Sequence, residues 1–390
     1  MLKINKKDHY YLIDGSGYIF RAYYALPPLT RKSDGLPVGA VSGFCNMLFK
    51  LLEDAKSVDN KERPTHFAVI FDSARKNFRN EIYSDYKANR SDAPEDLIPQ
   101  FDFIRKSVLA FSLPSVEQLN YEADDLIATY VEKIIKVGAK ATIVSSDKDL
   151  LQLHGKNTRI FDPMKNIIVD ANGVKEKFGV TPDKVIDVQS LAGDTSDNVP
   201  GVPGIGVKTA AQLINEYGSL EGLLSRVEEI KQPKRRESLI EHAEMARISY
   251  KLVSLATDAP VPVPLETFIK HDPDLPHLKA FLQKQGFNNP KKMYFSFTDA
   301  SSGDGGQMGP HHGYLFIKRA SGQITKISIH ELLHGFGFAM PCTKGVRDGA
   351  HLGVRWVLAG WISHADGAIS SPAGAGSVVY PSAHDGAASE

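Results

Sequence analysis

The chain has 390 residues, 42% of them hydrophobic and 24% charged, which is enough for two domains with a sizeable core. Lys+Arg and Asp+Glu both number 46, so binding of nucleic acid would require local basic patches. The two cysteines, Cys45 and Cys342, lack metal-type spacing, which excludes a disulfide scaffold and indicates a reducing compartment. The N-terminus has no signal region and no apolar run could cross a bilayer, so we expect a cytoplasmic protein.

Three short apolar segments in the first half of the chain each end near an aspartate. They are Tyr10–Ile13 before Asp14, His66–Phe71 before Asp72, and Ala141–Val144 before Asp147. Helical patterns such as Gly39–Leu52 separate them, which predicts βαβ units and a mainly parallel sheet. Ligands of open α/β sheets bind beyond the carboxyl ends of the strands, so we expect the three aspartates to converge there. Each one alone could be a turn residue or a helix cap.

An acidic motif precedes an apolar run with helical spacing at residues 126–135. Its carboxylates, Glu122, Asp124 and Asp125, would lie near a helix N-terminus, where the dipole favours negative charge. Together with the strand-end aspartates they form a cluster that repels itself unless cations are present. Mg²⁺ or Mn²⁺ suits oxygen ligands, and two ions about 4 Å apart would promote phosphodiester hydrolysis. The absence of a His or Cys cluster from the motif argues against zinc there.

A basic and aromatic stretch, Ser73–Arg90, follows the second predicted strand. Its cations would bind phosphates and its aromatic rings could stack on unpaired bases, although a solvated amphipathic helix is the alternative. Farther along, Asp194 and Asp197 could add metal ligands, and a glycine hairpin at 201–206 leads into a helix starting near Lys208. Backbone amides at that helix start would grip a phosphate. A last amphipathic helix is predicted at His277–Gly286.

Five motifs together carry a family resemblance. They are LIDGSGYIFRAYYALPPLT, AVIFDSARKNFRNEIYSDYKANR, YEADDLIATY, SSDKDLLQL and LAGDTSDNVPGVPGIGVKTA. With these motifs, residues 8 to about 297 resemble the flap endonuclease family, in particular the 5′-nuclease domain of bacterial DNA polymerase I. The resemblance implies a PIN-like α/β catalytic domain over residues 1–180 with a helical arch at about 73–92. It also implies a helical subdomain over residues 181–297 with a helix-three-turn-helix motif.

The resemblance implies roles for individual residues. Two or more Mg²⁺ or Mn²⁺ ions would be bound by carboxylates at Asp14, Asp72, Glu122, Asp124, Asp125, Asp147, Asp149, Asp194 and Asp197. The scissile phosphate would be steadied by Lys76 and Arg79. DNA would be bound in the arch by Tyr86, Lys87 and Arg90, and in the hairpin by Gly201, Gly204, Gly206 and Lys208. The hairpin motif of this family often holds a K⁺ ion.

The activity implied by the resemblance is 5′→3′ exonuclease and 5′-flap endonuclease. The expected substrates are flaps, nicked or branched duplexes and RNA primers, met during replication and repair. We expect a monomer associated with the nucleoid and not with membranes, and a DNA polymerase acting in trans as a further partner. No proofreading or polymerase domain follows, which suggests a stand-alone exonuclease or a truncated polymerase. The alternative is a catalytically silent binder of branched DNA, against which the complete carboxylate set argues.

The composition changes near residue 299, and residues 298–390 form a Gly/His-rich tail whose order the sequence leaves open. This tail contains both tryptophans and half of the 32 glycines. The segment His330–His334 matches the zinc motif HExxH with Glu331 as the base, which would suit a zinc peptidase. Met340 stands where a third histidine would complete the extended motif. The change in composition favours a chance match or fused sequence.

Overall fold

The computed structural model describes residues 5–60 and 62–287, together with two strands at 314–318 and 324–328. The chain divides into two units, residues 1–288 and 289–390. In the described part of the first unit the helices are α1 Gly15–Ala25, α2 Gly39–Lys56, α3 Arg79–Ile82, α4 Gln100–Ala110, α5 Ala123–Lys136, α6 Ala171–Phe178, α7 Val185–Ala192, α8 Val207–Tyr217, α9 Leu220–Ser225, α10 Pro233–Glu241, α11 Ala243–Val253 and α12 Leu275–Lys284. The strands are β1 His9–Asp14, β2 His66–Ile70, β3 Ser115–Val116, β4 Lys140–Val144, β5 Thr158–Asp162 and β6 Ile167–Val169.

The six strands form one sheet in the order β3-β2-β1-β4-β5-β6. All neighbouring pairs are parallel except β5 and β6, so the predicted mainly parallel sheet is confirmed. Strands β1 and β2 are buried along their whole length, as expected for the centre of a sheet covered on both faces. The sequence did not predict β3, β5 and β6, because two of them have three residues or fewer and β5 alternates between buried and half-buried side chains.

Strand β1 lies between β2 and β4, so the aspartates that follow these strands converge at one edge, as the sequence predicted. Asp14 ends β1 and also caps α1, because its carboxylate accepts a hydrogen bond from the Gly17 amide at 2.9 Å. A Cβ at Gly15 would lie 2.4 Å from the Phe71 ring and 2.9 Å from the Ile70 carbonyl oxygen. Glycine therefore allows α1 to leave β1 this close to its neighbouring strand.

One hydrophobic core connects the sheet to the helices that follow it. Leu126, Ile127 and Tyr130 of α5 are fully buried against the sheet, since apolar residues at helical spacing share one face. The same cluster continues into α7 and α8 through residues such as Val188 and Ile214. The division into domains at residue 180 stays a prediction, because the described residues up to 287 belong to one unit.

The structure corrects the predicted helical arch. Within residues 73–92, all of which are described, helix is confined to Arg79–Ile82 and the remainder consists of turns and irregular segments. Lys87 has a left-handed backbone with φ 57°, and its N–H donates to the Asp197 carbonyl oxygen at 2.9 Å. These contacts turn the chain toward the end of the sheet. The basic stretch therefore does not form one continuous helix.

The last predicted helix begins two residues earlier than expected. The Asp274 carboxylate accepts a hydrogen bond from the His277 amide, and a proline in the first turn is pre-organised for a helix start. In the second unit, the strands β7 Tyr314–Lys318 and β8 Ile324–Ser328 pair antiparallel. The HExxH segment at His330–His334 lies outside the described residues. Among the helices that are described, none has the length and apolar character needed to span a membrane.

A buried histidine lies at the start of β1, at the sheet end opposite the aspartates. His9 is 1% exposed, and its Nδ1 lies 2.7 Å from the Glu62 carbonyl oxygen while its Nε2 lies 2.7 Å from Thr142 Oγ1. A carbonyl oxygen only accepts, so Nδ1 carries the proton and Nε2 accepts from the Thr142 hydroxyl. Burial lowers the pKa of His9 from 6.5 to about 4.

This burial predicts a pH-dependent contribution to folding. Between pH 6.5 and 4 the unfolded chain binds a proton at His9 that the folded protein excludes, so the free energy of unfolding falls as the pH falls. We expect a loss of about 2 kcal/mol between pH 7 and 4.5 that is absent from His9→Gln, whose side chain stays neutral. Urea denaturation of both proteins at the two pH values measures the difference, and equal losses would contradict the assignment.

Candidate active site

A cavity of about 220 Å³ opens at the carboxyl ends of β1, β2 and β4. Eight of the nine predicted metal ligands line it, and they are Asp14, Asp72, Asp124, Asp147, Asp149, Glu122, Asp194 and Asp197. The first five follow strands or begin α5, whereas Asp194 and Asp197 come from the loop after α7. The structure thus brings together eight carboxylates that are far apart in the sequence.

Two of these carboxylates are held by neutral hydrogen-bond donors. Asp14 accepts from the Ser145 hydroxyl at 2.8 Å, in addition to the Gly17 amide. Burial and the nearby charges of Asp72 and Asp147 raise the pKa of Asp14 to about 6, although these two hydrogen bonds lower it. Asp149 accepts from the Gln189 side-chain amide at 2.5 Å, and its pKa is raised to about 7 by burial and by Asp147.

Three further aspartates, Asp72, Asp124 and Asp147, line the cavity together with Asp14 and Asp149. Asp72 accepts from the Ala123 amide at 2.7 Å, and burial with the charge of Glu122 raises its pKa. Asp147 accepts from the Asp149 amide at 2.9 Å. The Asp124 carboxylate accepts no hydrogen bond from the described part of the chain, and burial with the charges of Asp147 and Asp14 raises its pKa well above 3.8. Within the described residues none of these five aspartates forms a salt bridge, so their negative charges lie close together without a paired cation.

The other three carboxylates of the cavity pair with basic side chains. Glu122 contacts the Lys87 ammonium, and Asp197 contacts both Lys87 and Arg90. Asp194 Oδ2 lies 2.5 Å from Lys148 Nζ, and although burial works against it, this contact lowers the pKa of Asp194. The basic side chains of Lys87, Arg90 and Lys148 thus compensate the negative charge of these three carboxylates.

The arch stretch, residues 73–92, supplies two of these basic side chains, Lys87 and Arg90, and the buried ring of Tyr86. Tyr86 is 5% exposed, and its hydroxyl donates to Glu122 Oε2 at 3.1 Å. The Lys87 ammonium lies 5.1 Å from the centre of the Tyr86 ring, a cation–π contact, beside Glu122. The predicted DNA-binding residues Tyr86, Lys87 and Arg90 therefore line the cavity in this structure.

Asp125 differs from the other predicted metal ligands. It is fully buried and does not line the cavity, because both of its oxygens are bound by Arg79, at 2.7 Å from Nη1 and Nη2. It also accepts hydrogen bonds from the amides of Glu122 and Ala256. The structure does not bring Asp125 to the cavity, because its carboxylate is the counter-charge of a buried arginine, so this placement does not support its predicted role as a metal ligand.

The two residues predicted to steady the scissile phosphate are also placed differently. Arg79 is 1% exposed and directs its guanidinium to Asp125 and to the carbonyl oxygens of Leu252 and Ser254, at 2.7 and 3.0 Å. Lys76 is exposed and does not line the cavity. Arg79 lines the cavity, but its guanidinium joins α5 to the end of α11, whereas Lys76 is not brought to the site; contact of either with the scissile phosphate stays a prediction.

The glycine hairpin lies beside the start of α8, but Gly201 is buried and its N–H donates to Ser249 Oγ at 3.0 Å, so this predicted DNA-binding residue is not presented to solvent. Val202 and Ile205 are buried in the core, while Gly204 and Gly206 are exposed and have open space where a Cβ would be. Gly204 has φ 80°, a conformation that suits glycine. Lys208 is exposed in the first turn of α8. The hairpin thus presents backbone and one cation to solvent.

The donor set of the cavity fits hard divalent cations. Among the residues that the structure describes, no three Asp, Glu, His or Cys side chains enclose a single ion. Mg²⁺ does not need such a cage, since it is usually bound by one or two carboxylates with waters and substrate phosphates. Burial and, after it, the charges of neighbouring carboxylates raise the pKa of Asp14, Asp124 and Asp149, and a cation among them would offset the second of these causes.

Several residues that contact the carboxylates were missed at the sequence level. They are Ser16, Asn77, Ser145, Lys148 and Gln189. Ser145 and Lys148 flank Asp147 in the sequence, which is a usable signal for both. Asn77 and Gln189 carry no such signal, because each reaches its carboxylate from a distant segment.

Comparison with known proteins identifies the family. A model described as the 5′-3′ exonuclease N-terminal resolvase-like domain matches residues 9–179, and one described as the 5′-3′ exonuclease C-terminal SAM fold matches residues 180–276. The chain belongs to the 5′-3′ exonuclease family. It is 40% identical to a 5′-3′ exonuclease of Aquifex aeolicus over 274 residues, which cover 70% of this chain and 91% of that protein.

The same region is also similar to larger proteins. It is 54% identical to DNA polymerase I of Rhizobium leguminosarum over 285 residues, which cover 73% of this chain and 28% of the polymerase. The match to DNA polymerase I of Bacillus caldotenax is 38% identical and covers 31% of that protein. The chain therefore spans less than a third of the length of these polymerases.

Solved structures support the fold. The T5 D15 protein, co-crystallised with metal ions, aligns with a TM-score of 0.54 at 19% identity over 72% of this chain and 98% of its own. The catalytic core of Rad2 in complex with DNA aligns with a TM-score of 0.50 at 17% identity, covering 75% and 92%. At these identities the likeness shows the shared fold, a PIN-like sheet with a helical second part.

The different settings of two neighbouring aspartates predict opposite effects on stability. In EDTA, Asp125→Asn should lower the free energy of unfolding by about 3 kcal/mol, because it leaves the Arg79 guanidinium buried without its counter-charge. Asp124→Asn should raise it by about 1 kcal/mol, because it removes one charge from a mutually repelling group. Urea denaturation compares the variants, and a shift in the same direction for both would contradict these placements.

Proposed function

We propose that this protein is a divalent-metal-dependent nuclease that hydrolyses phosphodiester bonds near free 5′ ends of branched DNA. Its substrates would be 5′ flaps, nicked duplexes and RNA primers on DNA, as in primer removal and repair. The observation that carries the proposal is the group of five aspartates at the sheet edge, none of which forms a salt bridge within the described residues, next to basic side chains that can contact phosphates. The printed names of the relatives, 5′-3′ exonuclease and DNA polymerase I, support the same reaction class.

The aspartates would hold Mg²⁺ or Mn²⁺, and two or more ions fit the number of oxygens available. These residues are Asp14, Asp72, Asp124, Asp147 and Asp149. Bound there, the ions would supply an activated water and positive charge for the leaving oxygen. In the described part of the chain no histidine lines the cavity, so proton transfer would fall to carboxylates or water.

The chain's own cations would orient the substrate. Lys87 and Arg90 line the cavity beside Glu122 and Asp197, within reach of a phosphate that enters it. Tyr86 fixes the position of Lys87 through its ring and its hydrogen bond to Glu122. Arg79 also lines the cavity, and its role would be structural, because its guanidinium connects α5 to the end of α11.

Duplex DNA would be held farther away by the hairpin before α8. Gly204 and Gly206 leave the backbone open to a phosphate, and the helix start adds a favourable dipole with Lys208 close by. A K⁺ ion at this hairpin and a polymerase partner in trans stay predictions from the family resemblance, as does the monomeric state.

Cleavage of a 5′-labelled flap duplex tests the catalytic proposal. Activity should require Mg²⁺ or Mn²⁺ and disappear in EDTA, and Asp124→Asn and Asp147→Asn should each lower it by at least about 100-fold, as loss of a metal ligand predicts. Asp170→Asn is the matched control: this exposed aspartate caps α6 and does not line the cavity, so its activity should be unchanged. Tight flap binding without cleavage in any metal would instead identify a silent binder of branched DNA.

Salt dependence tests the hairpin. The assay uses Ca²⁺ in place of Mg²⁺, so that it measures duplex binding and not cleavage. Lys208→Ala should weaken this binding and should reduce the slope of log affinity against log salt concentration by about 1. Fluorescence anisotropy between 50 and 200 mM salt measures both quantities, with Lys156→Ala, an exposed lysine that does not line the cavity, as the comparison. An unchanged slope in Lys208→Ala would remove this residue from the DNA-binding surface.

A further inference from the structure

The carboxylates of the cavity differ in the charge of the side chains that hold them. Asp194 and Asp197 pair with Lys148 and Arg90, which compensate their charge. Asp149 is different, because a neutral side chain from another segment holds it. That side chain belongs to Gln189, which lies 40 residues away in the sequence. The contrast raises the question of why an uncharged donor stands at this carboxylate.

Gln189 is a buried polar side chain beside apolar core residues of its own helix. It lies on α7 and is 3% exposed, and its helix neighbours Val188 and Leu191 are fully buried in the core. Helix α7 packs against the short 3-10 helix Asp149–Leu153 that follows β4. The Gln189 amide reaches across this contact to Asp149 Oδ1 at 2.5 Å. Its nitrogen must face the carboxylate, since two oxygens at this distance would repel.

The other end of the same amide has no partner. Gln189 Oε1 is buried and makes no hydrogen bond with the described residues. A buried acceptor left without a partner destabilises a protein by about 1–3 kcal/mol. An apolar side chain of similar size would avoid that loss at a core position. The folding of α7 alone therefore does not explain a glutamine here, whereas its contact with Asp149 does.

A neutral donor also suits a carboxylate that is to bind a cation. A lysine at this position would fix Asp149 as Lys148 fixes Asp194, but its charge would compete with a metal ion. An amide fixes one oxygen by a hydrogen bond and leaves the negative charge uncompensated. Groups that orient metal ligands in this way commonly influence metal affinity by 10- to 100-fold.

We propose that Gln189 is a positioning residue that orients Asp149 toward a divalent cation in the cavity without neutralising it. Gln189 does not line the cavity, so it acts through Asp149 and does not contact substrate. This inference rests on the proposed metal-dependent function. It assigns a specific task to a residue of the second, helical part of the chain.

Direct metal binding tests the inference without an activity assay. Titration of the full chain with MnCl₂, followed by electron paramagnetic resonance of free Mn²⁺, should show at least about tenfold weaker binding for Gln189→Met than for the wild type. The free energy of unfolding in EDTA should not fall, because the variant removes the unpartnered buried oxygen. Mn²⁺ affinity within twofold of the wild type would overturn the proposal.

Gln100→Met is the matched control. Gln100 is equally buried, but it bonds the amides of Ala40 and Val41 and the Asp96 carbonyl, and it does not line the cavity. This variant should lower the free energy of unfolding and leave Mn²⁺ affinity unchanged. Weaker Mn²⁺ binding in Gln100→Met to the same extent would show that loss of a buried glutamine acts through general destabilisation, which contradicts the proposal.

Gln189→Leu serves as a second variant in case Gln189→Met folds poorly. A double-mutant cycle with Asp149→Asn then tests whether Gln189 acts through the Asp149 carboxylate. In an Asp149→Asn background, either change at Gln189 should have no further effect on Mn²⁺ affinity, because the residue acts through the Asp149 carboxylate. Additive losses would overturn the proposal. If wild type and Asp124→Asn bind Mn²⁺ equally weakly, the metal-dependent function itself fails, and that result is distinguishable from failure at Gln189.

Discussion

Mutual repulsion among carboxylates is the constraint on which the site depends. Eight of them line one cavity of about 220 Å³, and charges this close destabilise each other unless protons, cations or hydrogen-bond donors compensate them. The protein uses two solutions on two sides of the cavity. Lys87, Arg90 and Lys148 neutralise one side, whereas neutral donors hold the strand-end aspartates on the other and leave their charge for a metal.

A buried ion pair joins the parts of the molecule that carry these groups. Arg79 binds both oxygens of Asp125 and two carbonyl oxygens at the end of α11, while Asp125 accepts the Ala256 amide. One guanidinium thus connects the start of α5, the base of the arch stretch and the segment after α11. Buried pairs of this kind are sensitive to loss of either partner, so we expect loss of Arg79 or Asp125 to disturb the start of α5, which carries Asp124.

The helical second part of the chain is therefore part of the active site and not only a DNA-binding attachment. It supplies Asp194 and Asp197, the Gln189 amide, and the carbonyl oxygens that receive Arg79. The hydrophobic core runs continuously from the sheet into α7 and α8, which fixes these groups relative to the strand ends. Val202 and Ile205 of the hairpin before α8 belong to the same core, so the hairpin is also fixed relative to the carboxylates.

The sequence by itself determined the buried parallel strands, the convergence of Asp14, Asp72 and Asp147, and the glycine hairpin. These follow from local periodicity and from the rule that parallel strands end at one edge, which need no knowledge of distant contacts. Only the tertiary structure decided that Asp125 and Arg79 neutralise each other, that the arch stretch forms turns and irregular segments, and that Gln189 reaches Asp149. Two adjacent acids look alike in a sequence, but rotation about a helix directs one to the cavity and the other into the core.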